Sequence, residues 1–186
     1  MRCIPGGILC PFLRSVISIL QWYVLRTISG KEEKALFLIQ KLFHDVKIIF
    51  PKRRLSWRKK GKIIYVIKPL FSGYLFAAAN YEQIEELHQW LRIQKANIWF
   101  VKVGNLLTPI DNHEMELIQK LMCNGDIVDS SEIQKNGESV MIVKGPLVGL
   151  EGIIEQYSKR NRRVVIKVNI GGEERRVELE GTSVSV

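Results

Sequence analysis

VMIVKGPLVGLEGII, residues 140–154, decides the fold of the second half of the chain. An apolar strand pattern leads into Gly145-Pro146, glycines follow at positions 149 and 152, and a second strand pattern begins. Glycine suits the tight turns of a small barrel because it adopts positive φ without a steric clash. Further strand patterns over 164–170 and 175–179 flank Gly171-Gly172, a two-residue hairpin turn. Residues 138–186 are therefore predicted to form a small β-barrel without helices.

Strand and helix patterns alternate in the first half of the chain. Three helix starts are predicted from capping boxes, in which Ser29, Asn80 or Asp111 precedes a Glu or Gln by three residues. Strand patterns cover 22–27, 46–50, 63–67, 74–78 and 97–103. This order predicts an α/β domain over residues 21–123. Residues 124–137 are polar and read as a linker, so the chain as a whole is predicted to be an α+β protein of two domains.

Composition limits the classes of function. Hydrophobic residues make up 46% of the chain and charged residues 25%, values typical of globular proteins. The formal net charge of +9 suits an anionic partner, such as nucleic acid, an acidic protein face or a membrane surface. The three cysteines, Cys3, Cys10 and Cys123, form no CxxC pair, so we expect reduced thiols in a cytoplasmic protein and no metal site.

The chain offers no recognisable catalytic motif. His44, His88 and His113 lack the spacing of metal ligands or of a catalytic triad, and no phosphate-binding glycine loop is present. Asp111 and Glu114 are explained as helix caps. We therefore expect neither an enzyme nor a cofactor.

Residues 1–20 differ from the rest of the chain. They begin basic and become apolar, as a secretory signal does, but Pro11 and Arg14 interrupt the apolar run. The run is also shorter than the ~20 apolar residues that a membrane-spanning helix needs, and no cleavage site follows. We interpret the segment as an extension, or as the product of a start codon placed too far upstream, and expect no membrane association.

Motifs in both halves of the chain together resemble the NusG family. Residues 140–154 resemble the KOW motif of SH3-like barrels, and the segments Trp22-Tyr-Val-Leu25 and Lys68-Pro-Leu-Phe-Ser-Gly-Tyr-Leu-Phe76 look like the family's N-terminal domain. The basic run before the second segment resembles the LoaP-type antitermination branch. The resemblance implies an N-terminal α/β sandwich of the NGN type followed by a small SH3-like KOW barrel, in a monomeric protein.

The resemblance also implies partners. In this family the N-terminal domain binds the clamp helices of the largest subunit of RNA polymerase, and the KOW domain recruits RNA, a ribosomal protein or Rho. The polymerase-facing aromatic residues carry over to Trp22, Tyr23, Phe71 and Tyr74, although aromatic residues are also common in protein cores. Leu147 stands where family members often have an aromatic residue that docks a ribosomal protein, which makes ribosome coupling doubtful.

Two basic segments are candidates for nucleic-acid contact. Residues 52–62 contain Trp57 and no acid, and their cations are Lys52, Arg53, Arg54, Arg58, Lys59, Lys60 and Lys62. The second segment lies at a barrel hairpin and contains Lys159, Arg160, Asn161, Arg162 and Arg163. Cations contact phosphates and an interleaved aromatic can stack on an unpaired base, so both segments are predicted to contact RNA. The alternatives are a solvated loop for the first and a plain turn for the second.

These features predict a transcription antitermination or elongation factor. It would bind RNA polymerase through its N-terminal domain and contact a nascent RNA hairpin, with non-template DNA as a further candidate, through the basic segments. Two alternatives remain: a general NusG-type elongation factor that acts on pausing or Rho, and a ribosome-associated RNA-binding protein with a KOW barrel.

Overall fold

The computed structural model describes residues 20–122, 125–136 and 139–184. The predicted extension, Cys123 and the ends of the predicted linker therefore lie almost entirely outside the described residues. The helices are α1 (Glu32–Leu42), α2 (Tyr81–Ile93) and α3 (Asn112–Leu121). The strands are β1 (Gln21–Thr27), β2 (Lys47–Ile49), β3 (Lys52–Lys59), β4 (Lys62–Pro69), β5 (Tyr74–Ala79), β6 (Ile98–Phe100), β7 (Lys102–Val103), β8 (Leu106–Leu107), β9 (Ile127–Val128), β10 (Ser131–Asn136), β11 (Ser139–Lys144), β12 (Ile154–Ser158), β13 (Arg163–Ile170) and β14 (Glu173–Ser183).

The first unit is built on an antiparallel sheet with the strand order β2-β5-β1-β6. Its two faces bury different residues because side chains alternate along each strand. Tyr23 and Leu25 of β1 pack with the apolar residues of α1 and α2. Trp22 and Val24 lie on the opposite face with the apolar residues of α3. The sheet is thus covered by helices on both faces, with α3 alone on the second.

The predicted helix starts have different outcomes. The box at Asn80 and Gln83 is confirmed, since each backbone amide donates to the other residue's side chain at 3.1 and 2.9 Å. The box at Ser29 is wrong: α1 begins after Lys31 with no side-chain cap. The Glu32 carboxylate instead accepts a hydrogen bond from the Gly73 amide at 2.8 Å, so a distant loop replaces the local cap.

The third box is half formed. The Asp111 carboxylate accepts from the His113 amide at 2.8 Å and caps α3. Glu114 does not reach back to the start of its helix, because its carboxylate accepts from the Gly171 amide of the second unit at 2.8 Å. A residue that the sequence assigned to local capping therefore joins the two halves of the molecule.

The second unit is a five-stranded sheet with the order β11-β10-β14-β13-β12 and a 3-10 turn at Glu151–Ile153. All pairs are antiparallel except β10 with β14. Gly171 and Gly172 have φ values of 59° and 79°, which confirms the predicted hairpin turn. The described residues contain three helices and a majority of strands, so the protein is a mixed α+β protein, as predicted.

Two segments predicted without regular structure are strands. The basic run 52–62 forms β3 and the turn to β4, with Lys60 and Gly61 at positive φ at the tip. The predicted linker contains β9, which pairs with β3, and β10, which belongs to the five-stranded sheet. Pairing with distant strands overrides the weak local pattern of both segments. The division of the chain into two domains at this segment stays a prediction.

The two units pack against each other. Buried apolar residues on the α3 side of the first sheet and in the interior of the five-stranded sheet form one continuous cluster, which includes Phe76, Ile118, Val168 and Val177. No helix among the described residues is long and apolar enough to cross a membrane.

Candidate nucleic-acid interface

The two basic segments predicted from the sequence meet across one cleft of about 550 Å³. One wall comes from the β3–β4 hairpin and the other from the turn between β12 and β13. The lining residues are Ser56, Trp57, Arg58 and Ile63 on the hairpin, and Arg160, Asn161, Arg162, Arg163 and Glu178 on the five-stranded sheet. We call this the cationic cleft. Segments about 100 residues apart in sequence therefore share one surface.

The hairpin presents an aromatic ring beside cations. Trp57 is 50% exposed, and the ammonium of Lys68 lies 4.7 Å from its ring centroid. Ile63, Ile64 and Tyr65 on β4 are also exposed, although their residue types usually lie inside a protein. Trp57 pairs with Ile64 across the hairpin, so an apolar patch lies next to the cations near the tip.

The cations of the two basic segments fall into two groups. Lys52 forms an ion pair with Glu33 at 2.7 Å and Arg54 forms one with Asp129 at 2.8 Å, so both cations already have a partner within the protein. Arg53 is partly buried and donates to the backbone carbonyl of Glu178. Burial lowers the pKa of the Arg53 guanidinium, an effect that Glu178 opposes and nearby Arg163 adds to.

The second group is free to meet a partner. Its side chains are exposed and, among the described residues, make no ion pair. The group consists of Arg58, Lys59, Lys60 and Lys62 on the hairpin and Lys159 and Arg160 on the opposite turn. Arg58 and Arg160 line the cleft itself, and the other four exposed cations lie beside it on the same two elements.

A buried carboxylate is bonded to two of the arginines and to the serine that line the cleft. Glu180 on β14 is 3% exposed, and its Oε2 accepts from Nη1 of Arg163 at 2.6 Å and from the backbone amide of Ser56 at 2.9 Å. Its other oxygen accepts from the Ser56 hydroxyl and lies 3.2 Å from Nε of Arg162. Arg163 in turn donates to the Ser56 carbonyl at 2.5 Å. Glu180 thereby ties β14 to the free edge of β3.

Sequence reasoning missed Glu180 and gave no role to Ser56. The run Glu173-Glu-Arg-Arg-Val-Glu-Leu-Glu180 alternates charges and apolar residues in the manner of a solvent-exposed strand. Nothing in that pattern distinguishes Glu180, which is buried only because β3 lies against it.

The predicted polymerase-binding aromatics are divided by the structure. Phe71 and Tyr74 belong to the cluster that joins the two units and are 6% and 7% exposed. Their loop is held by Gly73, which has a φ of 79° and whose carbonyl accepts from the Thr27 amide at 2.9 Å. A side chain at Gly73 would lie 2.9 Å from the Thr27 carbonyl oxygen, so the turn requires glycine.

Tyr74 is bonded to the five-stranded sheet. Its hydroxyl accepts from Nη2 of Arg175 at 2.6 Å. The guanidinium groups of Arg26 and Arg175 lie 5.2 and 5.3 Å from its ring centroid, within the range of cation–π attraction. The face that carries Tyr74 is therefore covered by β14 in this structure.

Trp22 and Tyr23 lie on opposite faces of β1. Trp22 is half-buried on the Tyr74 side, 5.7 Å from the Lys47 ammonium. Tyr23 is 1% exposed under α1 and α2, where its ring meets Phe100 edge to face. Tyr23 therefore does not share a face of the sheet with Trp22 and Tyr74, because successive residues of a strand point to opposite faces, and its part in polymerase binding stays a prediction.

The described residues offer no group of three or more His, Cys, Asp or Glu side chains that could hold a metal ion. The cleft combines guanidinium groups with an exposed indole and contains one exposed acid, Glu178. This is chemistry for binding an anion with a flat ring system.

Comparisons with known proteins agree with this architecture. The family model described as transcription termination factor nusG matches residues 20–119. The transcription termination/antitermination protein NusG of Thermus thermophilus is 25% identical over 179 residues, which cover 89% of this chain and 97% of that protein. The Bacillus subtilis protein of the same name is 26% identical, with 88% and 96% covered. A solved structure described as domain interaction in Thermotoga maritima NusG has a TM-score of 0.53 at 24% identity and covers 87% of this chain and 94% of that one. The chain belongs to the NusG family of non-enzymatic transcription factors.

Proposed function

We propose that this protein is a transcription antitermination factor of the specialised LoaP-like branch, which binds RNA polymerase and a hairpin in the nascent RNA. The observation that carries the RNA part is the meeting of residues 52–62 and 159–163 in one cleft beside the exposed ring of Trp57. The protein would act as a monomer in the cytoplasm, where transcription and its RNA product are found.

The cleft matches the chemistry of a looped RNA better than that of a duplex. Unpaired bases offer faces for stacking, and stacking on an aromatic residue contributes about 1–3 kcal/mol per base. Trp57 and Ile64, its partner across the hairpin, would supply such a surface. The six exposed cations around it would supply phosphate contacts that position the RNA without reading its sequence.

RNA polymerase would bind the face that carries Trp22, Phe71 and Tyr74. Aromatic residues suit a binding surface because they bury a large area and lose little conformational entropy. Since β14 covers Tyr74 here, binding of the clamp helices requires the five-stranded sheet to move away. Polymerase binding is therefore proposed to follow the release of one unit from the other.

A general elongation factor that acts on pausing or Rho would need the polymerase face but not the cleft. Coupling to a ribosome is disfavoured by Leu147, which is fully buried and presents no aromatic ring at the surface. RNA binding by the cleft therefore distinguishes this proposal from the alternatives.

The test replaces two exposed cations on opposite walls of the cleft, in the variant Arg58→Gln/Arg160→Gln. Neither residue makes an ion pair among those described, so the fold should persist. Affinity for a stem-loop RNA should fall by about tenfold. The slope of log affinity against log salt should become shallower by about 1.4, because each lost phosphate contact changes it by about 0.7 for unpaired RNA.

The matched control is Lys34→Gln/Lys41→Gln on α1, which removes the same charge from exposed positions remote from the cleft. It should leave both quantities near the wild-type values. Equal behaviour of the two double variants would show that only net charge matters and would contradict RNA binding by the cleft.

A further inference from the structure

One exposed acid stands among the cations of the cleft. Glu178 of β14 lines the cleft together with Trp57, Arg58 and Arg160. Its carboxylate forms no ion pair among the described residues. A carboxylate repels phosphate, so an acid at a surface that serves only for phosphate contacts lowers the affinity for RNA. The position of Glu178 therefore indicates a role other than phosphate binding.

The backbone of β14 holds Glu178 at the cleft. Its neighbours Val177 and Leu179 are buried, so the Glu178 side chain lies on the outward face, because successive residues of a strand point to opposite faces. Its carbonyl oxygen accepts from the Arg53 guanidinium, and this bond does not depend on the side chain. Burial lowers the pKa of Arg53, and the charge of Glu178 opposes that shift. A purely electrostatic role beside Arg53 is therefore the alternative to a role in recognition.

Trp57 supplies a surface for a base in the same cleft. The ring is 50% exposed and the Lys68 ammonium lies over one of its faces, so the opposite face is the one left for stacking. A base that stacks on an aromatic ring keeps its Watson–Crick edge accessible to groups beside the ring. The cleft volume of about 550 Å³ lies within the ~300–1,000 Å³ range of sites for small ligands. The cleft is therefore suited to one unpaired nucleotide.

A carboxylate distinguishes guanine from the other bases. The edge of guanine carries two neighbouring donors, N1–H and the N2 amino group, which match the two oxygens of one carboxylate. Adenine and cytosine place a ring nitrogen acceptor beside their amino group, and uracil places a carbonyl oxygen on each side of N3–H, so each of them sets an acceptor against the carboxylate. We infer that Glu178 reads an unpaired guanine that stacks on Trp57, with Arg58 and Arg160 at its phosphates. This inference rests on the proposed RNA binding and adds the base that the cleft selects.

The test uses two stem-loop RNAs and the full-length protein. The loop of the first RNA alternates guanosine and uridine, and the second RNA has inosine in place of every loop guanosine. Inosine lacks the N2 amino group but keeps N1–H, the flat ring and the phosphates, so stacking and phosphate contacts are matched. The wild-type protein should bind the guanosine loop about tenfold more tightly, which is the order expected for one hydrogen bond to a charged group.

Glu178→Gln separates base reading from electrostatics. The amide has a similar shape, and the backbone bond to Arg53 is retained, so the fold should persist. Loss of the negative charge should raise the affinity for the inosine loop. The amide offers one acceptor oxygen in place of two, so the preference for the guanosine loop should fall from about tenfold to about twofold.

The matched control is Glu174→Gln, which removes the same charge from an exposed position on the same strand. Glu174 does not line the cleft. Its ion pair with Lys167 lies at the surface, where such pairs contribute little to stability. This variant should keep the preference of about tenfold for the guanosine loop that is expected of the wild-type protein.

The outcomes separate the two proposals. Absence of RNA binding by the wild-type protein and both variants would overturn the proposed function and this inference together. RNA binding that depends on Arg58 and Arg160, with equal affinity of the wild-type protein for the two loops, would overturn the inference alone. A preference for guanosine that is unchanged in Glu178→Gln would also overturn it, because Glu178 would then have only the electrostatic role.

Discussion

The contact between Tyr74 and Arg175 allows a sharp test of how the polymerase face is covered. Replacing Tyr74 with Phe removes one hydroxyl, which accepts from Arg175 at 2.6 Å, and retains the ring below the two guanidinium groups. A hydrogen bond to a charged group contributes about 1.5–3 kcal/mol. Arg175 keeps Glu173 as a partner in the variant, so we take the lower end, about 1.5 kcal/mol, for the loss.

A loss of this size shifts the balance between the covered and uncovered forms by about tenfold. Apparent affinity scales with the fraction of protein that is competent to bind, so binding of purified RNA polymerase should tighten by up to about tenfold. The substitution thus strengthens binding although it truncates a residue of the proposed binding face. Titration of labelled protein with core polymerase, in the absence of RNA, measures the effect.

Two further variants separate release from direct contact. Arg175→Gln removes the same hydrogen bond from the other side and should also tighten binding, although Arg175 is not on the proposed polymerase face. Tyr81→Phe changes an exposed tyrosine on α2 and should have no effect. Weaker binding by Tyr74→Phe, together with unchanged binding by Arg175→Gln, would refute the idea that β14 covers the face.

Two predictions concern stability. Gly145→Ala should destabilise the protein by about 2–4 kcal/mol, because Gly145 has a φ of 106° and a Cβ there would lie 2.7 Å from the Ser130 carbonyl oxygen. Urea unfolding measures the loss of stability. The control is Gly152→Ala, where a Cβ meets open space, and an equal loss in this variant would contradict the argument. Burial, more than the charge of Lys102, lowers the pKa of His88, and Glu85 opposes this shift. The unfolded state then binds more protons than the folded state as pH falls below about 6.5, so stability should decline below that pH and the decline should be smaller in His88→Gln. Thermal unfolding over a pH series checks this, and identical pH profiles of the two proteins would count against it.

The sequence allowed the elements to be predicted where the apolar period was strong. The helices around Leu36, Leu87 and Ile118, the strand around Phe76 and the turn at Gly171 all lie where local pattern and tertiary packing agree. The β3 strand was not predicted because five cations hide its alternation of apolar and polar residues, and only pairing with β4 and β9 makes it a strand. The capping box predicted at Ser29 does not form, because the Glu32 carboxylate accepts a hydrogen bond from the amide of Gly73, which lies 41 residues away.

The candidate site was also predictable only in the features that depend on local sequence. Charge and aromatic content identified residues 52–62 and 159–163 as separate segments, and nothing local could reveal that they share a cleft. Nor could it reveal which cations are free, since Arg54 and Lys52 are engaged by Asp129 and Glu33. Which charged residues form ion pairs depends on their proximity in the folded structure. Glu180 is the clearest example, because its local sequence gives no sign that it is buried.

The position of β14 at the centre of the five-stranded sheet has a consequence for synthesis. Its neighbours are β10 and β13, so the sheet cannot close until residues 173–183 have left the ribosome. The first unit is complete at α3, about 50 residues earlier, and N-terminal units fold first as a chain emerges. During that interval Arg175 has not yet been synthesised, so it cannot donate its hydrogen bond to Tyr74. We therefore expect a newly made chain to pass through an uncovered form before the covered one, and to be able to meet its first partner while still attached to the ribosome.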